Sequence, residues 1–105
     1  MRAGELLKAL KDNLVVEHDA DDLLLLRCLS SAISYAEGYQ KKGPDYYSDH
    51  PMTESTKQAV LVLASFFYES RDGSTAGFFS DSPEAAKQVW ETVKLLLQGD
   101  RDVIL

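Results

Sequence analysis

The sequence predicts an all-α fold, a small bundle of about four helices, and three observations carry that prediction. Apolar residues recur every three or four positions through four separate stretches, as the buried stripe of a helix requires. Strong breakers, Gly43-Pro44, Gly73 and Ser82-Pro83, fall between the later stretches. The chain of 105 residues, 45% hydrophobic and 27% charged, has the balance of one globular domain spanning 1–105. The fold class leaves one segment open: residues 40–53 form a short hairpin or an irregular excursion.

Residues 4 to 13 place Leu6, Leu7 and Leu10 at helical spacing, with Leu14 one turn on and Lys8, Lys11 and Asp12 on the other side. A helix this short is marginal alone and needs a partner. Val15 and Val16 lie in a brief connector over 14 to 18. The second helix is expected from Asp19 to about Tyr39, with Leu25 or Leu26, Leu29, Ala32 or Ile33, Ala36 and Tyr39 as its stripe. Thr53 is the expected N-cap of a third helix, which runs through ESTKQAVLVLASFFYESRD and stops at Gly73. That helix is apolar nearly all round from Ala59 to Tyr68, so it belongs at the centre of the bundle. Ser82-Pro83-Glu84 reads as a cap with proline at the first helical position. The fourth helix then presents Ala86, Val89, Trp90, Val93, Leu96 and Leu97 inward until Gly99.

Charge and cysteine content narrow the function. Seventeen acidic against 11 basic residues give a net charge of -6, which disfavours nucleic acid as the main ligand, because phosphate neutralisation needs clustered Lys and Arg. The lone Cys28 sits in an apolar helical pattern and reads as a small buried hydrophobe in a reduced, intracellular setting. The first five residues lack the apolar stretch of a secretory signal, and no apolar run approaches the roughly 20 residues that span a bilayer, so no membrane partner is expected.

The densest cluster of reactive side chains is His18, Asp19, Asp21 and Asp22, which invites a metal reading. A calcium loop from Asp19 would need an oxygen ligand at its fifth position and glycine at its sixth, where Leu23 and Leu24 stand. A transition metal would need a second nitrogen or sulfur ligand, and the other histidine, His50, is in a distant loop. The helix-start reading asks less: Asp19 caps, while Asp21 and Asp22 meet the positive end of the helix dipole. Gly73-Ser74-Thr75-Ala76-Gly77 superficially matches a nucleophile elbow, yet a helix precedes it and no histidine base accompanies it. A calcium loop from Asp72 fails at Pro83, its twelfth position, and no phosphate-binding glycine pattern or HExxH helix occurs. The expectation is therefore no enzyme, no catalytic residue, no metal and no cofactor.

What remains is surface for another protein. Tyr46 and Tyr47 in the 40–53 segment, Phe78 and Phe79 between glycine and serine, and the apolar end Val103-Ile104-Leu105 are the candidate interface residues, with Arg71 and Arg101 as charges that pair across subunits. Each aromatic pair reads equally as a local plug over the domain's own core.

Taken in order, a short leucine helix, HDADD leading into a long helix that ends AISYAEGY, a polar excursion, the block TKQAVLVLASFFYESRDGSTAGFF and a last helix AAKQVWETVKLLLQGDRD resemble the small head-tail connector proteins of tailed bacteriophages and prophages. The resemblance covers nearly the whole chain and is most specific in YESRDGS, the tryptophan helix and Arg101-Asp102. Relatives often carry an aromatic after that Arg-Asp pair, where this chain has Val103. The resemblance implies a helical bundle with a structural role in the virion: copies assemble in the host cytoplasm as a ring beneath the portal. The ring extends the DNA channel and offers a platform to the next connector or tail component. DNA is then only passing cargo, and the partners are the chain itself, the portal and the downstream protein. The alternative class is a small acidic module that binds a basic protein or mimics DNA. A metal-dependent enzyme built on His18 and the aspartates is the third.

Overall fold

The computed structural model describes residues 3–70 and 83–101, and within them the apolar stripes form five helices and no strand. They are α1 (Ala3–Leu14), α2 (Asp22–Tyr39), α3 (Tyr46–Asp49), α4 (Glu54–Glu69) and α5 (Pro83–Gln98). The all-α prediction holds. The 40–53 segment is the irregular excursion rather than the hairpin, and the single turn of α3 sits at its middle.

α4 is the central element and packs against α1, α2 and α5. Ala59, Val60, Leu63, Ala64 and Tyr68 are buried on it, while Leu61, Val62, Phe66 and Phe67 are partly buried against the same core. Its broadest neighbour is α2, which turns Leu25, Cys28, Leu29, Ala32 and Ala36 inward. The alanines on both helices cost little side-chain entropy to bury and keep the two backbones close. α1 contributes Leu6 and Leu10, and α5 contributes Val93 and Leu97. Asn13 donates to the Ser65 hydroxyl at 3.1 Å and so ties the end of α1 to α4.

The helix boundaries differ from expectation where the backbone, rather than the apolar pattern, decides them. α2 starts at Asp22 with Asp21 at the N-cap, not at Asp19. α4 is capped by Thr53, whose hydroxyl accepts from the Thr56 N–H at 3.2 Å, but it ends at Glu69, short of Gly73. Gly73 itself lies outside the described residues.

α1 and α2 both close with a Schellman turn, and neither uses glycine. At the end of α1 the Val16 N–H donates to Lys11 O at 2.9 Å and the Val15 N–H to Asp12 O at 3.3 Å. At the end of α2 the Lys42 N–H donates to Glu37 O at 2.9 Å and the Lys41 N–H to Gly38 O at 3.3 Å. This pattern forces the C′ residue into the left-handed region, where Val15 has φ 56° and Lys41 has φ 65°. The reversal expected at Gly43 therefore occurs two residues earlier.

Val15 is the less comfortable of the two, because a β-branched residue clashes with its own backbone there and its side chain is 80% exposed. Val15→Gly is expected to raise stability by about 0.5–1 kcal/mol, the relieved strain outweighing the added freedom of the unfolded chain. A higher urea midpoint with an unchanged slope would show it.

Candidate functional site

The acidic start of α2 resolves into structural contacts. The Lys11 ammonium, carried on the last turn of α1, donates to Asp19 at 2.6 Å and to Asp22 at 2.8 Å. Those hydrogen bonds hold the Asp19 carboxyl below its usual range and raise the lysine. Asp21 stands at the N-cap without a capping hydrogen bond from its side chain, which instead accepts from the Tyr68 hydroxyl of α4. The cap expected of Asp19 is lost because α2 starts three residues later, at Asp22, and the Asp19 carboxylate binds Lys11 instead. His18 is exposed, and its Nδ1 accepts from the Ala20 N–H at 3.2 Å. Among the described residues no group of three or more His, Cys, Asp or Glu is placed to hold a metal ion.

Two concavities among the described residues offer little chemistry. An open groove is lined by Leu7, Lys8, Lys11, Asp12, Val16 and Glu17, and a smaller hollow by Arg27, Cys28, Ser31 and Phe67. No histidine lines either one, and the cations of the first are ion-paired, Lys8 to Asp12 and Lys11 to Asp19 and Asp22. Cys28 is buried, as its place in the α2 stripe predicts.

Of the nominated interface residues, the structure separates Tyr46 from Tyr47. Tyr47 is only 3% exposed and is a plug in the core rather than an exposed loop aromatic. Burial pushes its phenol above its ordinary value. Tyr46 is half-buried, packs edge-on against Tyr47 at 5.0 Å and stacks on the exposed His50 ring at 4.0 Å. The Lys42 ammonium lies 5.0 Å from the Tyr46 ring centre. Arg101 is exposed, with its guanidinium 5.1 Å from the ring centre of Tyr39, and Tyr39 leads through Tyr35 to Trp90 at centroid distances of 6.3 and 5.1 Å. Such cation–π contacts fix a charged side chain over an apolar surface without removing it from solvent. Arg71, Phe78, Phe79, Val103, Ile104 and Leu105 lie outside the described residues.

Sequence reasoning missed the polar cluster that holds this region in shape. Gln40 is completely buried; its Nε2 donates to the Thr56 hydroxyl at 2.8 Å and to Leu97 O at 3.1 Å, and its Oε1 accepts from the Tyr47 hydroxyl. The Thr56 hydroxyl donates onward to Asp100 at 2.7 Å, and the Thr53 hydroxyl donates to the same carboxylate oxygen. Glu37, also buried, accepts from the Tyr47 N–H at 2.9 Å. A signal was present: Gln40 follows Ala32 and Ala36 at four-residue spacing, so a polar side chain occupies the next core position of the α2 stripe.

Asp100 makes this cluster pH-sensitive. The Thr53 and Thr56 hydroxyls hold its carboxyl below the ordinary value of 3.8. A carboxylate with a depressed folded-state value stabilises the fold fully above its unfolded value, and that share is lost as the pH falls through the lower one. Urea midpoints are therefore expected to fall as the pH drops below 3.8, and Asp100→Asn should flatten that part of the profile.

Chemically the arrangement positions aromatic and cationic groups on a helical frame. No curated protein and no solved structure matches the chain. A family model for the phage gp6-like head-tail connector protein matches residues 5–95. The match runs from the first turn of α1 to Leu95 in α5, so it takes in most of the helical frame and leaves out the end of α5 and the closing Arg-Asp pair. With nearly its entire length inside that match, the chain belongs to the phage gp6-like head-tail connector family.

Proposed function

We propose that this connector protein works by oligomerising as a ring beneath the portal of the DNA-filled head, where it extends the DNA channel and receives the next connector or tail component. The family match across the helical frame is the observation that carries this reading. The chain enters the virion from the host cytoplasm and contributes architecture, with no reaction and no cofactor. The net charge of -6 supports the channel part of the proposal: a surface that repels phosphates lets DNA slide without sticking.

Subunit and portal contacts are assigned to the 40–53 excursion, through Tyr46, and to the end of the chain from Arg101 through Val103, Ile104 and Leu105, with Arg71, Phe78 and Phe79 as further contributors. Tyr47 acts beneath this surface by holding Tyr46 in place. The test is co-expression with the portal protein of the same phage, followed by electron microscopy of the purified complex. A ring seated on the portal is the expected result. Absence of both ring and portal association under assembly conditions overturns it, and salt-sensitive binding to an unrelated basic protein would favour an acidic binding module instead.

A further inference from the structure

The two surfaces assigned above are far apart in sequence but share one buried side chain. Gln40 sits one residue past α2, at the entrance to the excursion. Its amide uses both ends inward: Oε1 accepts from Tyr47, which belongs to the excursion, while Nε2 donates to Leu97 O, which belongs to the last turn of α5. Leu97 O also accepts from the Asp100 N–H at 3.2 Å in the turn that closes α5, so Gln40 and Asp100 meet on one carbonyl. A second path runs in parallel, from Gln40 through the Thr56 hydroxyl to Asp100, which the Thr53 hydroxyl also holds. Thr53 follows the excursion directly and caps α4. The end of α5 is thus bonded to the start of the excursion, to its middle through Gln40, and to its exit.

We infer that Gln40 joins the excursion carrying Tyr46 and the α5 end carrying Arg101 into one coupled unit, so that a partner engaging either segment alters the order of the other. In a water-poor interior a lost hydrogen bond strands a polar group, and linked bonds weaken together. Pulling Asp100 away takes the acceptor from the Thr56 hydroxyl and the backbone N–H from Leu97 O, the two groups to which the Gln40 amide donates, and so loosens the anchor of the amide that holds Tyr47. By linkage the effect is reciprocal: loosening Tyr47 must loosen the α5 end by the same factor. The coupling belongs to the isolated chain; only its use in ordered assembly, one contact preparing the surface for the next, rests on the connector reading.

Amide hydrogen exchange on the full-length protein tests it. Asp100→Ala is expected to accelerate exchange of the Tyr47 and Ser48 amides about tenfold, and Tyr47→Phe, which removes one hydroxyl, to accelerate the Asp100 and Arg101 amides comparably, with α1 unchanged in both. Leu95→Ala, on an exposed position of the same helix, should alter neither segment. Exchange confined to the mutated segment overturns the coupling, and so does an equal rise through α1, which would mean uniform destabilisation. A protein that passes this test yet forms no ring with the portal refutes the connector role and leaves the coupling standing.

Discussion

Replacing Leu63 with alanine lowers the unfolding free energy by about 3–4 kcal/mol, the range for deleting a fully buried leucine that leaves its cavity behind. Leu63 is 1% exposed in the middle of α4, the helix on which α1, α2 and α5 all pack. Two terms add. Removing the isopropyl group forfeits its transfer from water, and the void it leaves in the core closes only partly because the surrounding side chains are already packed. Small domains are stable by only about 5–15 kcal/mol, so this one substitution consumes a large share. Leu95→Ala is the matched control: the same atoms are removed from a leucine that is 71% exposed, and the change should stay within about 0.5 kcal/mol. Urea unfolding of both variants checks the pair. Equal shifts would contradict the central position of α4.

That position is legible in the sequence because burial and apolar periodicity express the same physical cause. The run from Ala59 to Tyr68 has no polar face to give to solvent, and a helix with none must be surrounded. The cap at Thr53 and the helix start at Pro83 are legible for a related reason: side-chain oxygen and fixed φ act on the next few residues and need nothing distant. The departures all involve partners remote in sequence or backbone states that composition does not signal. Asp19 has the chemistry of a cap, but Lys11, eight residues away, turns it into an ion-pair partner. Val15 and Lys41 occupy left-handed positions that glycine would have announced. Tyr46 and Tyr47 are adjacent and chemically identical, yet one turn of helix sends the second into the core and leaves the first at the surface. The bonds from Asp100 to Thr53 and Thr56 span more than forty residues, and no local pattern predicts them.

The Gln40 cluster gives the second large effect. Gln40→Leu keeps a comparable bulk and adds apolar surface at a fully buried position, so a site that needed only filling would tolerate it. The expectation is the reverse, a loss of about 1–3 kcal/mol, because the leucine takes from the Tyr47 hydroxyl its bond to Oε1 and from Thr56 and Leu97 O the Nε2 donor they share. The sign of a second substitution separates these causes. Tyr47→Phe alone also destabilises, since it takes the donor from Oε1 of Gln40; combined with Gln40→Leu it removes donor and acceptor of that one bond together, so its cost is not counted twice, while the loss at Thr56 and Leu97 O remains. The double variant should therefore be more stable than the sum of the two single losses by about 1 kcal/mol or more. Simple additivity in the urea midpoints would mean that Gln40 and Tyr47 act independently. It would also remove the central link through which the excursion and the end of α5 communicate.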